Sequence, residues 1–257
     1  MAPAFNDDAL ILRTQNLKET DRIIIMLTRE HGMIHAVAKG VRKPNSKFGA
    51  RLEPFMHSSL ALNTGRGSLH TVTQAVTVHP YSSAIVADYA RFGCAALMVE
   101  LGEKLCTDSP LEDTHPHFGL LHGALAALAR GEHVPQRILT SYMMRALALA
   151  GWQIVSENCT VCGRNLLDDS RGAFHTAGVY GEFGLLCADH AAGVEVPLVR
   201  LPAPRLRLLL ALSRGDWATV DPAAPAECAK LLDLVLTTTQ NLLEAPLKTA
   251  LTLESEA

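Results

Sequence analysis

Cys159-Thr160-Val161-Cys162 and Cys187-Ala188-Asp189-His190 gather four metal-binding residue types within 32 residues. The pattern is C-x2-C, twenty-four residues, then C-x2-H. A two-residue spacer lets both donors of a pair point from one tight turn at one ion, as a tetrahedral zinc site requires. Gly163 follows the first pair, where the chain must turn sharply. The expected ligands are therefore Cys159, Cys162, Cys187 and His190, with His175 the alternative fourth donor, in mid-segment rather than on a turn. Two competing readings are a pair of unrelated reduced thiols and a redox Cys-x-x-Cys. The redox reading wants a strand–helix context, which Arg164 to Arg171 does not clearly supply. Four protein donors leave no open position for a catalytic water, and no His-Glu-x-x-His stands nearby. The expected role of the ion is structural; in finger peptides such an ion contributes about 10–16 kcal/mol to folding.

The remaining chemistry-bearing residues form no comparable pattern. Cys94, Cys106 and Cys228 stand alone in apolar stretches and read as small core residues. The other histidines read as scattered, with His115 and His117 in a loop at a helix start. There is no G-x-S-x-G, no Walker loop and no G-x-G-x-x-G after a strand. A binding protein is expected, not an enzyme.

A second pattern is one of charge. Residues 1–70 carry ten Lys/Arg against six Asp/Glu, while residues 71–257 carry thirteen against twenty. Lys39 to Arg51 holds five basic residues and no acid. Such a loop is either a solvated turn or a phosphate-contacting patch. On the second reading Arg13, Arg22, Lys39, Arg42, Lys43, Lys47 and Arg51 are the candidate nucleic-acid contacts. Phe48 lies inside the run and could stack on a base or anchor the loop.

The elements that must position these groups follow from periodicity. Five strands are expected before residue 80, at Ala9–Leu12, Asp21–Thr28, Met33–Ala38, Phe55–Leu62 and Leu69–Val78, with Gly65-Arg66-Gly67 as a hairpin signal. Five short strands in this length suit a small closed barrel, because closure removes exposed edges. At Tyr81 the period changes. One helix is expected from Ser82 or Ser83 to Cys106, a second from His117 to Arg130 after a break at His115-Pro116, and a third from Pro135 to Ala150. Beyond the cysteines come helices at Arg205–Leu212 and Ala226–Leu243, then a frayed tail, Leu251–Ala257. Ala173–Thr176 and Gly178–Leu186 read as short strands of a ribbon-like hairpin. The fold class is α+β: a small N-terminal β-barrel at 1–80, a helical domain at 81–153 and 200–257, and a zinc-binding insertion at 154–199.

With 48% hydrophobic and 19% charged residues the chain can build a sizeable core. No apolar run reaches the roughly 18–20 residues needed to span a bilayer, and the acidic N-terminus lacks a signal-peptide pattern. A cytoplasmic location is expected, where paired Cys turns bind metal more often than they form disulfides.

Several stretches resemble, in order, the RecO family of bacterial recombination mediators. They are Ala9-Leu-Ile-Leu-Arg13, Glu19-Thr-Asp-Arg22, Leu27-Thr-Arg-Glu-His-Gly32, Lys39-Gly-Val-Arg-Lys-Pro44, Phe48-Gly-Ala-Arg-Leu-Glu-Pro54, and Gly151-Trp152 ahead of Cys159-x-x-Cys162-Gly163. The resemblance implies an OB barrel, a helical bundle and a zinc-ribbon insertion. It also implies binding of single- and double-stranded DNA and annealing of strands coated with single-strand-binding protein. With RecR, the family helps load RecA. It has no known catalytic chemistry. The family's zinc ligands are usually four cysteines, and His190 departs from that pattern. The family docks the acidic tail of single-strand-binding protein on its helical part, for which Arg130, Arg137 and Arg145 are the candidate cations here. A zinc-ribbon transcription or RNA-binding factor and, less well supported, a zinc-dependent hydrolase remain the alternatives.

Overall fold

The computed structural model describes residues 4–65, 67, 69–167, 172–179, 182–192, 194–195 and 198–250; the side chains of 174–179, 182 and 183 are outside the description. The chain divides between Glu132 and His133, and again between Lys248 and Thr249, into two compact units.

In the first unit, β1 (Ala4–Leu17), β2 (Asp21–Thr28), β3 (Gly32–Ala38), β4 (His57–Asn63) and β5 (Leu69–His79) close into a barrel in the order β1-β2-β3-β5-β4. The neighbours are antiparallel except β3 and β5. These run parallel over His35↔Leu69 to Val37↔Thr71, and that pairing completes the closure. Ala9, Ile11, Ile24, Met26, Ile34, Ala36, Leu60, Leu62 and Val72 fill the interior. Leu10, Leu12, Ile25 and Leu27 lie outside that cluster yet are at most 1% exposed. The helices of this unit pack over β1–β3, so these strands are apolar on both faces and read as near-continuous runs.

Three helices complete the unit. The single helix expected up to Cys106 is two, α1 (Tyr81–Val86) and α2 (Tyr89–Cys106). Asp88 divides them: extended at φ −131°, it accepts the Arg91 backbone N–H at 2.9 Å and so caps α2. The break expected at His115-Pro116 is absent. α3 runs over Leu111–Arg130 with Pro116 in its second turn, where only one helical bond is given up. His117 is accordingly a buried helical residue, not a loop residue. Gly131, at φ +69°, closes α3 in the left-handed conformation that favours glycine.

The second unit holds α4 (Pro135–Leu149), the Cys-bearing segment, α5 (Ala188–Ala191), α6 (Ala203–Arg214), α7 (Trp217–Val220) and α8 (Pro225–Leu242). α4 packs against α6 and α8. Between the two Cys turns, β6 (Ala173–Val179) and β7 (Glu182–Leu186) pair as the expected antiparallel hairpin, and β8 (Leu198–Arg200) adds a third strand to β6. The tail beyond Ala250 lies outside the described residues. No helix among the described residues is long and apolar enough to cross a membrane.

Candidate functional site

The first Cys turn is built by backbone bonds. The Cys159 N–H donates to the Arg164 carbonyl at 2.8 Å and the Gly163 N–H to the Cys159 carbonyl at 2.9 Å. Gly163 sits at φ +70°, which a side chain would resist. The Thr160 N–H donates to the Leu185 carbonyl at 2.8 Å, so β7 carries the second turn to the first. Cys187 then caps α5, and the His190 N–H returns to its carbonyl at 3.1 Å. An ion pair of 2.8 Å between Arg164 and Asp189 joins the two turns on the outside.

The four donor atoms converge to within 4.8 Å of one another. Cys162 Sγ lies 3.9 Å from Cys187 Sγ. His190 Nδ1 lies 3.7 Å from Cys159 Sγ and 3.2 Å from Cys187 Sγ. An ion with metal–sulfur bonds of about 2.3 Å and metal–nitrogen bonds of about 2.0 Å has tetrahedral edges near 3.8 Å (S–S) and 3.5 Å (S–N). The donors fit a tetrahedron, and His190 occupies the fourth corner. Burial opposes ionisation of the Cys159 thiol. The backbone amides of Cys162, Cys187 and Val161, with the Cys162 side chain, outweigh it and pull the thiol down to about 6. A thiolate, the form that binds metal, is thus favoured before any ion arrives. The His175 side chain lies outside the described residues. Cys94 and Cys106 behave oppositely, since burial pushes each thiol up to about 12 and leaves an inert core residue.

The basic run forms an exposed loop between β3 and β4, seated on the barrel by Val41 and Phe48. Phe48 is 1% exposed and belongs to the barrel core; it is an anchor and is unavailable for stacking. The Gly40 N–H donates to the Asp21 carboxylate at 2.7 Å, and the Lys47 ammonium donates to the Thr73 carbonyl at 2.8 Å. Arg51 donates to the Lys47 and Phe48 carbonyls at 3.2 Å. Lys39, Arg42, Lys43, Lys47 and Arg51 are exposed and, among the described residues, none forms a direct ion pair; the Asp21 carboxyl, held low chiefly by the Gly40 amide, also feels Lys39. The other two candidates differ. Arg13 pairs with Glu103 and Arg22 with Glu53, so their charges are already balanced.

The cations of the helical part separate in the same way. Arg130 pairs with Glu132 at 2.8 Å. Arg137 is buried and donates to the Asp221 and Ala223 carbonyls at 2.6 and 2.7 Å; it braces the chain ahead of α8 and cannot face a partner. Arg145 is exposed and lines a groove of about 390 Å³ with Met144, Leu210, Glu157 and Arg214; Arg214 is paired with Glu157 at 2.6 Å, which leaves Arg145 as the cation there with no ion pair among the described residues.

One grouping escaped the sequence reading. His57, His79 and His122, read as scattered, bring one ring nitrogen each to within 4.8 Å of one another. His57 on β4 and His79 on β5 are cross-strand partners, and His122 comes from α3. No spacing signal marks them, because strand register and helix packing create the cluster.

The fold and these sites define a class: an OB-like barrel with a cationic loop, followed by helices that carry a Cys3His cluster able to hold a metal ion. The profile described as "Recombination protein O N terminal" matches residues 1–81, and "Recombination protein O C terminal" matches residues 86–250. Proteins named DNA repair protein RecO are similar over most of their length. The Nocardioides sp. (strain ATCC BAA-499 / JS614) protein is 41% identical over 90% of this chain and 91% of its own. That of Bifidobacterium longum subsp. infantis is 45% identical over 87% of each. That of Streptomyces coelicolor is 42% identical over 86% of this chain and 87% of its own. The chain belongs to the RecO family.

Proposed function

We propose that this protein is a non-catalytic mediator of DNA repair and recombination. It binds single- and double-stranded DNA on the barrel, anneals complementary strands coated with single-strand-binding protein and, with RecR, helps load RecA. The observation that carries this reading is the loop Lys39–Arg51, where five exposed cations form no direct ion pair among the described residues. Annealing is opposed by repulsion between phosphates, by strand secondary structure and by the coating protein. A cationic loop held rigid by Phe48 and Lys47 neutralises the first. The groove beside Arg145 suits an acidic segment with an apolar terminal residue, such as the tail of single-strand-binding protein. That contact would bring the protein to coated strands.

The ion of the Cys3His cluster is read as a structural Zn2+, whose chemistry is to cross-link the two turns. Cys159, Cys162, Cys187 and His190 hold it, and the β6–β7 hairpin fixes their spacing. A cytoplasmic, nucleoid-associated location accords with this role. The decisive experiment is strand annealing with and without single-strand-binding protein. Acceleration of the coated strands is expected, and no acceleration overturns the reading.

A further inference from the structure

The histidine cluster lies entirely within the first unit and takes no part in the proposed DNA contacts. His57 is 6% exposed, and neither of its ring nitrogens has a hydrogen-bond partner. An imidazole buried this way forfeits its bonds to water and gains none in return. Its neighbours are mostly other rings. His79 lies 5.3 Å away and His122 4.9 Å away between centroids, with Phe118 at 5.8 Å. Three imidazoles with converging nitrogens offer lone pairs and little else.

The surroundings also orient the rings. His79 stacks on Tyr81 at an interplanar angle of 8°, and His122 is parallel to Phe118. The Tyr81 hydroxyl lies 3.0 Å from Nε2 of His122. Outer partners of this kind hold metal-binding histidines in place. Ring contacts alone would leave the His57 nitrogens unsatisfied.

We propose that His57, His79 and His122 form a second metal site, for a borderline divalent ion such as Zn2+ or Co2+. Imidazole suits these ions, and three protein nitrogens leave the fourth tetrahedral position to water. The ion ties the adjacent ends of β4 and β5 to α3, so its role is to lock barrel and helix together within the unit.

Cobalt distinguishes this site from the Cys3His cluster, because only the cluster can show thiolate-to-cobalt charge transfer. The full-length protein is stripped with a chelator and titrated with Co2+, following bound metal and the absorption spectrum. Two equivalents are expected, one with charge-transfer bands and one with only weak ligand-field bands. His79→Ala, a change at an exposed position, should lose the second equivalent and keep the first. His122→Ala should behave alike, and thermal unfolding of each variant checks that it is folded. A wild type that binds a single equivalent, or a His79→Ala protein that retains both, overturns the proposal.

Discussion

The guanidinium of Arg13 lies against the carboxylate of Glu103, with Nε and Nη2 each 2.7 Å from an oxygen. This bidentate pair holds a strand of the barrel to α2 and removes Arg13 from the free cations, although both residues lie in the same unit as the basic loop. Arg13→Ala should therefore weaken DNA binding less than Lys43→Ala. Glu103→Ala should raise DNA affinity by releasing a cation. Fluorescence anisotropy with a single-stranded oligonucleotide at fixed salt ranks the three variants; equal losses for Arg13→Ala and Lys43→Ala would count against the assignment.

Combined replacement of Lys39, Arg42, Lys43 and Lys47 by Ala should lower DNA affinity and flatten its salt dependence. Four phosphate contacts to a single strand give a log–log slope of about −3, from roughly 0.7 per contact. The variant should lose most of that slope. A slope that stays the same would place the DNA elsewhere.

Removing a corner of the Cys3His cluster should uncouple the segment it holds. Cys187 is fully buried and lies at the start of α5, so Cys187→Ser should abolish tight zinc binding. It should also expose the segment around 159–190 to proteolysis, since a structural zinc contributes about 10 kcal/mol or more to folding such segments. His190→Ala should retain less than half an equivalent of this ion by metal analysis. Full retention would direct attention to His175.

Arg137 offers a contrast with Arg145. Replacing Arg137 by Ala leaves two carbonyls ahead of α8 without their charged donor and should destabilise the protein by about 2–4 kcal/mol. Arg145→Ala, at an exposed site, should change stability by less than about 0.5 kcal/mol yet weaken binding of an acidic, Phe-ended peptide. Urea unfolding and peptide titration separate the two roles.

Stability should fall in mild acid through His57. Burial, helped by His122, pulls its pKa down to about 4 from 6.5; Asp8 opposes this, and His79 and Arg29 add to it. The folded protein then refuses a proton that the unfolded chain accepts. The contribution is intact above pH 6.5 and is lost as pH falls towards 4. Between pH 7 and 5 the loss is about 2 kcal/mol, at roughly 1.4 kcal/mol per pKa unit. Urea midpoints measured with chelator present should show it, and His57→Leu should flatten the dependence. A His57→Leu protein as acid-sensitive as wild type would assign the effect to other groups.

Much of this architecture was legible because it is encoded locally. Asp21–Thr28 is a strand from its own run of isoleucines, Gly131 ends a helix by accepting positive φ, and each Cys turn is specified by a two-residue spacer. Even the fourth corner, His190, follows from that spacing once the turns meet. Where local rules compete, the elements differ from those expected. A capping carboxylate at Asp88 split one helix in two, and Pro116 was absorbed near a helix start.

The sequence by itself determined the strands, most helix ends, the Cys3His grouping and the basic loop, because each depends on residues a few positions apart. Only the tertiary structure decided which charges are free and which histidines meet. Arg13 finds Glu103 across 90 positions, Arg137 finds Asp221 across 84, and His57 meets His79 through strand register. Ion pairs and converging rings depend on distances of a few ångströms, and for residues far apart in the chain those distances are set only when the barrel closes and the helices pack.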